Sequence, residues 1–324
     1  MNLNLNRLGK IINEKKDIII TTHQNPDADG LGAAIGLFLA LDKISKERDE
    51  DRRVRIIIDD RLPKNIEFLY GSEYVENYKN YDQGKSPDLI ISLDAANLER
   101  IGGISEFSGK IPLINIDHHI SNDAFGDYNY VNPEFASTCE IIFELLKTME
   151  IQLDGNIASA IYAGIVNDTG NFSHTNVRKS TFQMAAELLE AGADNHIIVR
   201  ELRNTKSLAA IRLMGKAMFT SEYISEKKII YTLITQDDYS KYGGDKSDTD
   251  GVSEELLSCT DADVSLFIRE EIGGSYKGSM RTKSENIDLN RVTGFFGGGG
   301  HRKAAGFSSA LTPQEIVEKI MELL

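Results

Sequence analysis

A two-domain α/β protein is the fold class this sequence predicts, with a parallel-sheet N-terminal domain and a smaller α/β C-terminal domain. Three observations carry that expectation. The runs Ile18–Thr22, Val54–Ile58, Leu89–Leu93 and Ile111–Ile116 are almost continuously apolar, which is the pattern of strands covered by helices on both faces and hence of a parallel sheet. Helix-like stretches alternate with them. The length, 324 residues, suits two domains at roughly 100–200 residues each.

The elements follow in order. After the first strand, Leu31–Leu41 reads as a mostly apolar helix. Cys139–Leu146 shows an apolar stripe, and Asn156–Val166 forms another helix that ends at Asn167-Asp168-Thr169-Gly170. From Lys179 to about Phe219 the pattern is helical, with Asp194 as a cap, and the polar stretch Arg203–Ser207 is the candidate connection between domains. These readings place a first domain at 1–200, a helical linker at 201–222 and a second domain at 223–324. In the second half, Lys228–Ile234 alternates as a strand, and Val264–Glu271 with Ser275–Arg281 makes a hairpin around Gly273-Gly274. Tyr242–Gly251 reads as a polar, mobile loop. Ala304–Ser308 is a short last strand. The helix after Thr312 opens on a capping box with Pro313 in its first turn.

The bulk composition excludes some functions. Lys and Arg number 36 against 50 Asp and Glu, a net charge of −14 with His neutral. An acidic surface argues against a non-specific grip on long duplex DNA, which relies on a basic footprint. It leaves room for a small anion held by a few local cations. Cys139 and Cys259 form no CxxC site or disulfide framework and read as ordinary thiols. The N-terminal segment lacks the apolar core of a signal peptide, and no apolar run reaches the roughly 20 residues of a membrane span. A cytoplasmic protein is expected.

Three strand-like runs end in metal-ligating residues. The first leads into His23-Gln24-Asn25-Pro26-Asp27-Ala28-Asp29, the next into Asp94, the third into Asp117-His118-His119. Open α/β sheets place their sites at these C-terminal strand ends. The spacing lets His23 and Asp27 face one ion while Asp29 turns to a second. Asp94 can bridge both, and His118 and Asp168 complete the second site. Any one of these acids taken alone is as well explained as a cap or turn residue, and His119 as a hydrogen-bonded core residue. Together they are not: three of only six histidines fall among acids at strand ends, and that much carboxylate at one sheet edge is costly without cations. Carboxylate with imidazole suits manganese, cobalt or magnesium, and two such ions sharing a hydroxide suit phosphoester hydrolysis.

The C-terminal part carries a second cluster. Phe295-Phe296-Gly297-Gly298-Gly299-Gly300-His301-Arg302-Lys303 removes side chains where a phosphate could approach the backbone, and successive N–H groups make an anion-binding nest. His301 adds a donor, and Arg281 offers a bidentate contact. Phe295 or Phe296 serves either as a stacking surface or as core. Asn97 and Arg100, after Asp94, either approach the cluster or simply begin a helix. Asn171 and His174 either line a cleft or belong to a loop.

In this order the motifs resemble those of the DHH phosphoesterase superfamily: His23-Gln24-Asn25-Pro26-Asp27-Ala28-Asp29, Asp94, Asp117-His118-His119 and Asp168. Gly298-Gly299-Gly300-His301 with Ala304-Ala305-Gly306 resembles the glycine-rich motif of the DHH-associated C-terminal domain, and Ser279-Met280-Arg281 its substrate-binding strand. The resemblance covers nearly the whole chain, without departure at the core motif positions. Domain order and length look most like the nanoRNase and oligoribonuclease branch.

The resemblance implies an active site in an interdomain cleft and two manganese ions. His23, Asp27 and Asp94 would hold one ion; Asp29, Asp94, His118 and Asp168 would hold the other. Asp117 would orient a histidine, and His119 would lie near the scissile phosphate. Substrate would be held by the C-terminal domain, through Ser279, Arg281, Gly298, Gly299, Gly300 and His301, with Arg100 approaching from the first domain. It implies cleavage of short oligoribonucleotides and dinucleotides to mononucleotides and phosphatase action on 3′-phosphoadenosine 5′-phosphate. A homodimer is compatible with it. Turnover of cyclic di-AMP or its linear dinucleotide is the rival within the superfamily. A family-II pyrophosphatase would favour a more cationic second domain, and a RecJ-type exonuclease a basic surface and a further nucleic-acid domain. A nucleotide sensor without turnover is the rival from another class.

Overall fold

The computed structural model describes residues 3–81 and 86–324. The chain divides into two compact units, Met1–Thr205 and Lys206–Leu324.

Unit 1 is built on six strands: β1 (Asp17–Thr22), β2 (Arg53–Ile58), β3 (Val75–Asn77), β4 (Leu89–Leu93), β5 (Leu113–Asp117) and β6 (Tyr128–Val131). They pair in the order β3-β2-β1-β4-β5-β6, every neighbour parallel. The apolar runs explain this arrangement. β1, β4 and β5 are buried along almost their whole length, so both faces need cover, and helices provide it. The sheet thus has its switch point between β1 and β4, where successive strands run off in opposite directions. That is where open α/β sheets leave a crevice beyond their strand ends. β5 begins at Leu113 rather than Ile111, because Pro112 has no N–H to give the ladder. The edge strands β3 and β6 lack apolar runs and escaped the sequence reading.

The helices of this unit are α1 (Leu5–Asn13), α2 (Ala28–Glu47), α3 (Thr138–Thr148), α4 (Gly155–Asp168), α5 (Lys179–Glu190) and α6 (Asn195–Val199). Asp194 caps α6, accepting from Ile197 N. α2 is buried almost all round and packs on α4. Its Gly32 and Gly36 let the two backbones close: a Cβ on Gly32 would stand 2.4 Å from Ala160 O.

Unit 2 opens with α7 (Leu208–Phe219), in the stretch that sequence placed in a linker; its Leu213 and Ala217 are buried in this unit's own core. A mixed sheet follows, with β7 (Glu222–Ile224), β8 (Ile229–Ile234), β9 (Val264–Glu270), β10 (Tyr276–Thr282), β11 (Gly299–His301) and β12 (Ala304–Ser309), in the order β11-β12-β10-β9-β8-β7. Only β8 and β9 pair in parallel. Gly273 and Gly274, both at positive φ, turn the chain between β9 and β10. Four helices complete the unit: α8 (Gln236–Tyr242), α9 (Val252–Leu257), α10 (Leu289–Gly294) and α11 (Pro313–Leu323). Thr312 and Glu315 form the expected capping box of α11. The loop read as mobile contains a short 3-10 turn at Lys246–Thr249, capped by Asp245 and Asp248. No helix among the described residues is long and apolar enough to cross a membrane.

Candidate metal centre and nucleotide pocket

Unit 1 brings its candidate ligands together at the switch point. His23 follows β1, Asp94 follows β4, Asp117 ends β5, and Asp168 closes α4. Three ligand groups result: His23, Asp27 and Asp94; Asp29, His118 and Asp168; and Asp94, Asp117, His118 and His119. Asp94 stands between the others. Its Oδ2 lies 3.5 Å from His23 Nε2, and its Oδ1 lies 3.6 Å from His118 Nε2. Its backbone is left-handed, at φ 57°, an uncommon state for a residue with a side chain that here turns the carboxylate out of the strand end.

The remaining spacings are similar. His23 Nε2 is 3.9 Å from Asp27 Oδ1, and His118 Nε2 is 3.2 Å from Asp168 Oδ2 and 3.9 Å from Asp29 Oδ2. His118 Nε2 is buried and finds no hydrogen-bond partner among the described residues. A buried nitrogen surrounded by carboxylates yet bonded to none fits a role as ligand to a cation shared with them. The donor set, imidazole with hard carboxylate oxygen, fits a divalent ion such as manganese, magnesium or cobalt.

Neighbouring groups aim these ligands. Asp27 caps α2, its Oδ1 accepting from the N–H of Asp29 and Gly30. Gly30 is needed for space: a Cβ there would stand 2.1 Å from Thr22 Oγ1. Asp29 is buried, and its two oxygens accept from Thr138 N (2.6 Å) and Cys139 N (2.9 Å), the open N–H groups at the start of α3. Thr138 Oγ1 donates to Asp94 Oδ1 at 3.0 Å. One residue, Thr138, therefore fixes a carboxylate from each ligand group. The sequence reading missed it, although Ser137-x-x-Glu140 ahead of an apolar run marks a helix start.

His23 Nδ1 lies 2.8 Å from Gln24 O, and a proton there leaves Nε2 with its lone pair toward the cluster. His119 Nδ1 sits 2.7 Å from Asp117 Oδ1. Asp117 also accepts from Asn122 Nδ2 and the N–H groups of His118 and His119, so its carboxylate is locked. The exposed Arg100 carries Nη2 to 3.1 Å from His23 Nδ1. Asn97 caps the 3-10 turn that delivers it.

Electrostatics records the crowding. Burial, then the Asp168 and Asp94 charges, holds the Asp29 carboxyl well above the ordinary carboxylate range, against the pull of His118. Burial does the same to Asp94. Burial works against charge on His23 and His118, but the facing carboxylates win, Asp27 and Asp94 for the first and Asp168 foremost for the second, and both imidazoles rise to about 10. Asn171 and His174 fall in the turn after α4, where His174 Nδ1 bonds Asp168 O. Both cysteines are free, and burial pushes the Cys139 thiol well up.

Unit 2 has its own cavity, of about 430 Å³, lined by Ser279, Arg281, Gly299, Gly300 and His301 of the sequence-selected set. Gly298 does not line it; a Cβ there would meet Gly306 O at 2.3 Å, so its role is close packing on β12. Gly300, at φ 150°, is pinned through its N–H to Asn290 Oδ1. Phe296 stacks on Phe307 as core, and Phe295 is half exposed under Lys319. Asp250, Glu254 and Arg269 also line the cavity. Sequence reading did not find them, since nothing in a polar loop and a short helix announces a wall.

Comparison with known proteins agrees with this geometry. Residues 17–165 match the DHH family, N-terminal domain, and residues 226–324 match the DHHA1 domain. The bifunctional oligoribonuclease and PAP phosphatase NrnA of Bacillus subtilis (strain 168) is 30% identical over 294 residues, covering 90% of this chain and 88% of that protein. The protein of the same name from Thermus thermophilus is 28% identical over 310 residues, 94% of this chain and 88% of its own. The crystal structure of an exopolyphosphatase-related protein from Bacteroides fragilis shares 28% identity at a TM-score of 0.89, covering 98% of this chain and 94% of that one.

Proposed function

The chain belongs to the DHH family of phosphoesterases, and from that premise we propose that it is a manganese-dependent phosphodiesterase of the cytoplasm. It degrades short oligoribonucleotides to mononucleotides and removes phosphate from 3′-phosphoadenosine 5′-phosphate. The observation that carries the reading is Asp94, with one oxygen toward His23 and the other toward His118, so that one carboxylate faces a histidine of each proposed ion site. The chemistry named for the Bacillus and Thermus relatives supports the choice of substrate.

His23, Asp27 and Asp94 would hold one ion, and Asp29, Asp94, His118 and Asp168 the other. Bound there, divalent ions supply positive charge against the phosphate and make water a readier nucleophile. The chain's own residues do the rest. Thr138 and the start of α3 hold Asp29 and Asp94 in place. Asp117 keeps the His119 Nδ1 proton, so Nε2 is presented to the substrate phosphate or leaving oxygen. Arg100 adds a cationic hydrogen bond for a phosphate oxygen. Ser279, Arg281, Gly299, Gly300 and His301 seat the nucleotide that is not being cut.

The test is product formation with manganese on a diribonucleotide, a five-residue oligomer, 3′-phosphoadenosine 5′-phosphate, cyclic di-AMP and pyrophosphate. Fast release of mononucleotides from the first two, with slower phosphate release from the third, is expected. Turnover confined to cyclic di-AMP would move the protein to second-messenger breakdown. Metal-dependent binding with no product from any of the five would make it a sensor and overturn the hydrolase reading.

A further inference from the structure

The cavity of unit 2 is poor in free positive charge for a phosphate site. Its charged walls are Arg269, Arg281, Asp250, Glu254 and the exposed His301. Arg281, on β10, is closed onto Glu254 of α9 in an ion pair. Arg269, on β9, holds Glu271 at 2.8 Å. Each guanidinium thus already carries a carboxylate partner, and two cations face two anions across the walls. Asp250 is exposed; partial desolvation still holds its carboxyl above its ordinary value, with Arg269 opposing that and Glu254 adding to it. The Gly300 N–H, one of the donors of the glycine run, is spent on Asn290. About 430 Å³ falls in the roughly 300–1,000 Å³ range of small-molecule sites, so space is not what limits the ligand.

We propose that Glu254 sets the charge specificity of this pocket: by neutralising Arg281 it admits a nucleoside monophosphate and rejects compact, highly charged phosphate chains. The inference rests on the reading of this cavity as the nucleotide seat. Its physics is simple. A carboxylate beside the anion seat repels a ligand in proportion to the ligand's charge. A nucleoside monophosphate spreads few charges over many atoms and gains contact from its base and sugar. A polyphosphate has only charge to offer, and here it must displace one carboxylate while facing another. Asp250 reinforces the effect from the same wall.

The experiment measures equilibrium binding of adenosine 5′-monophosphate and inorganic tripolyphosphate to the full chain, with metal left out so that neither ligand is chelated. Wild type, Glu254→Gln and Arg281→Ala are compared at low and high salt. For Glu254→Gln, the preference for the monophosphate over tripolyphosphate should fall about tenfold at low salt, and the change should shrink at high salt as screening removes the charge effect. An unchanged preference, or a change indifferent to salt, overturns the proposal. Arg281→Ala should weaken monophosphate binding about tenfold, a charge-assisted contact's worth. If Glu254→Gln leaves the preference intact while Arg281→Ala weakens binding, the charge filter fails and the nucleotide seat stands. If Arg281→Ala changes nothing, the seat itself is wrong and the filter falls with it.

Discussion

The metal centre of unit 1 and the cavity of unit 2 handle charge in opposite ways. At the switch point, carboxylates outnumber their cations, are buried, and are held by backbone N–H groups, Thr138 and Asn122. In unit 2 the charges are half exposed and already paired, Arg281 with Glu254 and Arg269 with Glu271. The first arrangement stores a demand for cations that any suitable divalent ion relieves. The second is balanced in charge as it stands.

Breaking the frustrated side should have the largest effect. Asp94→Asn keeps the shape but removes a carboxylate charge that belongs to two of the three ligand groups. Several kcal/mol of transition-state stabilisation should go with it, so turnover of a diribonucleotide with saturating manganese should fall about a thousandfold. Near-normal turnover would detach Asp94 from the chemistry. His118→Ala should behave alike, its orphaned Nε2 being the other shared ligand atom.

Thr138→Val tests the support rather than the ligands. It deletes the hydroxyl donated to Asp94 and keeps the backbone N–H that holds Asp29. Groups that orient ligands typically matter by 10–100-fold in metal affinity or activity. The metal concentration at half-maximal activity should therefore rise by about that factor, with little change in thermal stability. Thr138→Ser should restore it; failure of that rescue would place the effect in packing.

A smaller effect separates protons from metal. In the metal-free protein His23 and His118 are raised to about 10, above the value of about 6.5 they have when unfolded. The folded state then binds more protons between those values. Stability from this source is complete below about 6.5 and is lost as pH climbs through 10. The raised Asp29 and Asp94 carboxyls act in the same sense at lower pH. Melting of the chain in chelator should thus drop from pH 7 to 9. The stabilisation produced by added magnesium or manganese should grow over the same interval, since metal must displace those protons. A metal-induced shift that is flat with pH would show that the cluster binds no ion through these histidines.

Much of unit 1 was legible because its signals are local. Apolar runs mark β1, β2, β4 and β5, and the acids and histidines follow them directly in the chain. The edge strands β3 and β6, short and half solvated, carry no such run. Thr138 stayed hidden because its function comes from α3 starting on a carboxylate 109 residues earlier in the chain. Gly298 was read as part of a phosphate loop, and its packing against Gly306 is visible only once β12 lies beside it.

By itself, then, the order of residues determined the parallel sheet, the motif residues at the strand ends and the family, since hydrophobic period and strand-end residues are properties of neighbours along the chain. Tertiary structure alone decided that Asp94 faces both ligand groups, that Thr138 braces them, and that Glu254 closes on Arg281. Those facts are distances between elements remote in sequence, and no local pattern encodes them.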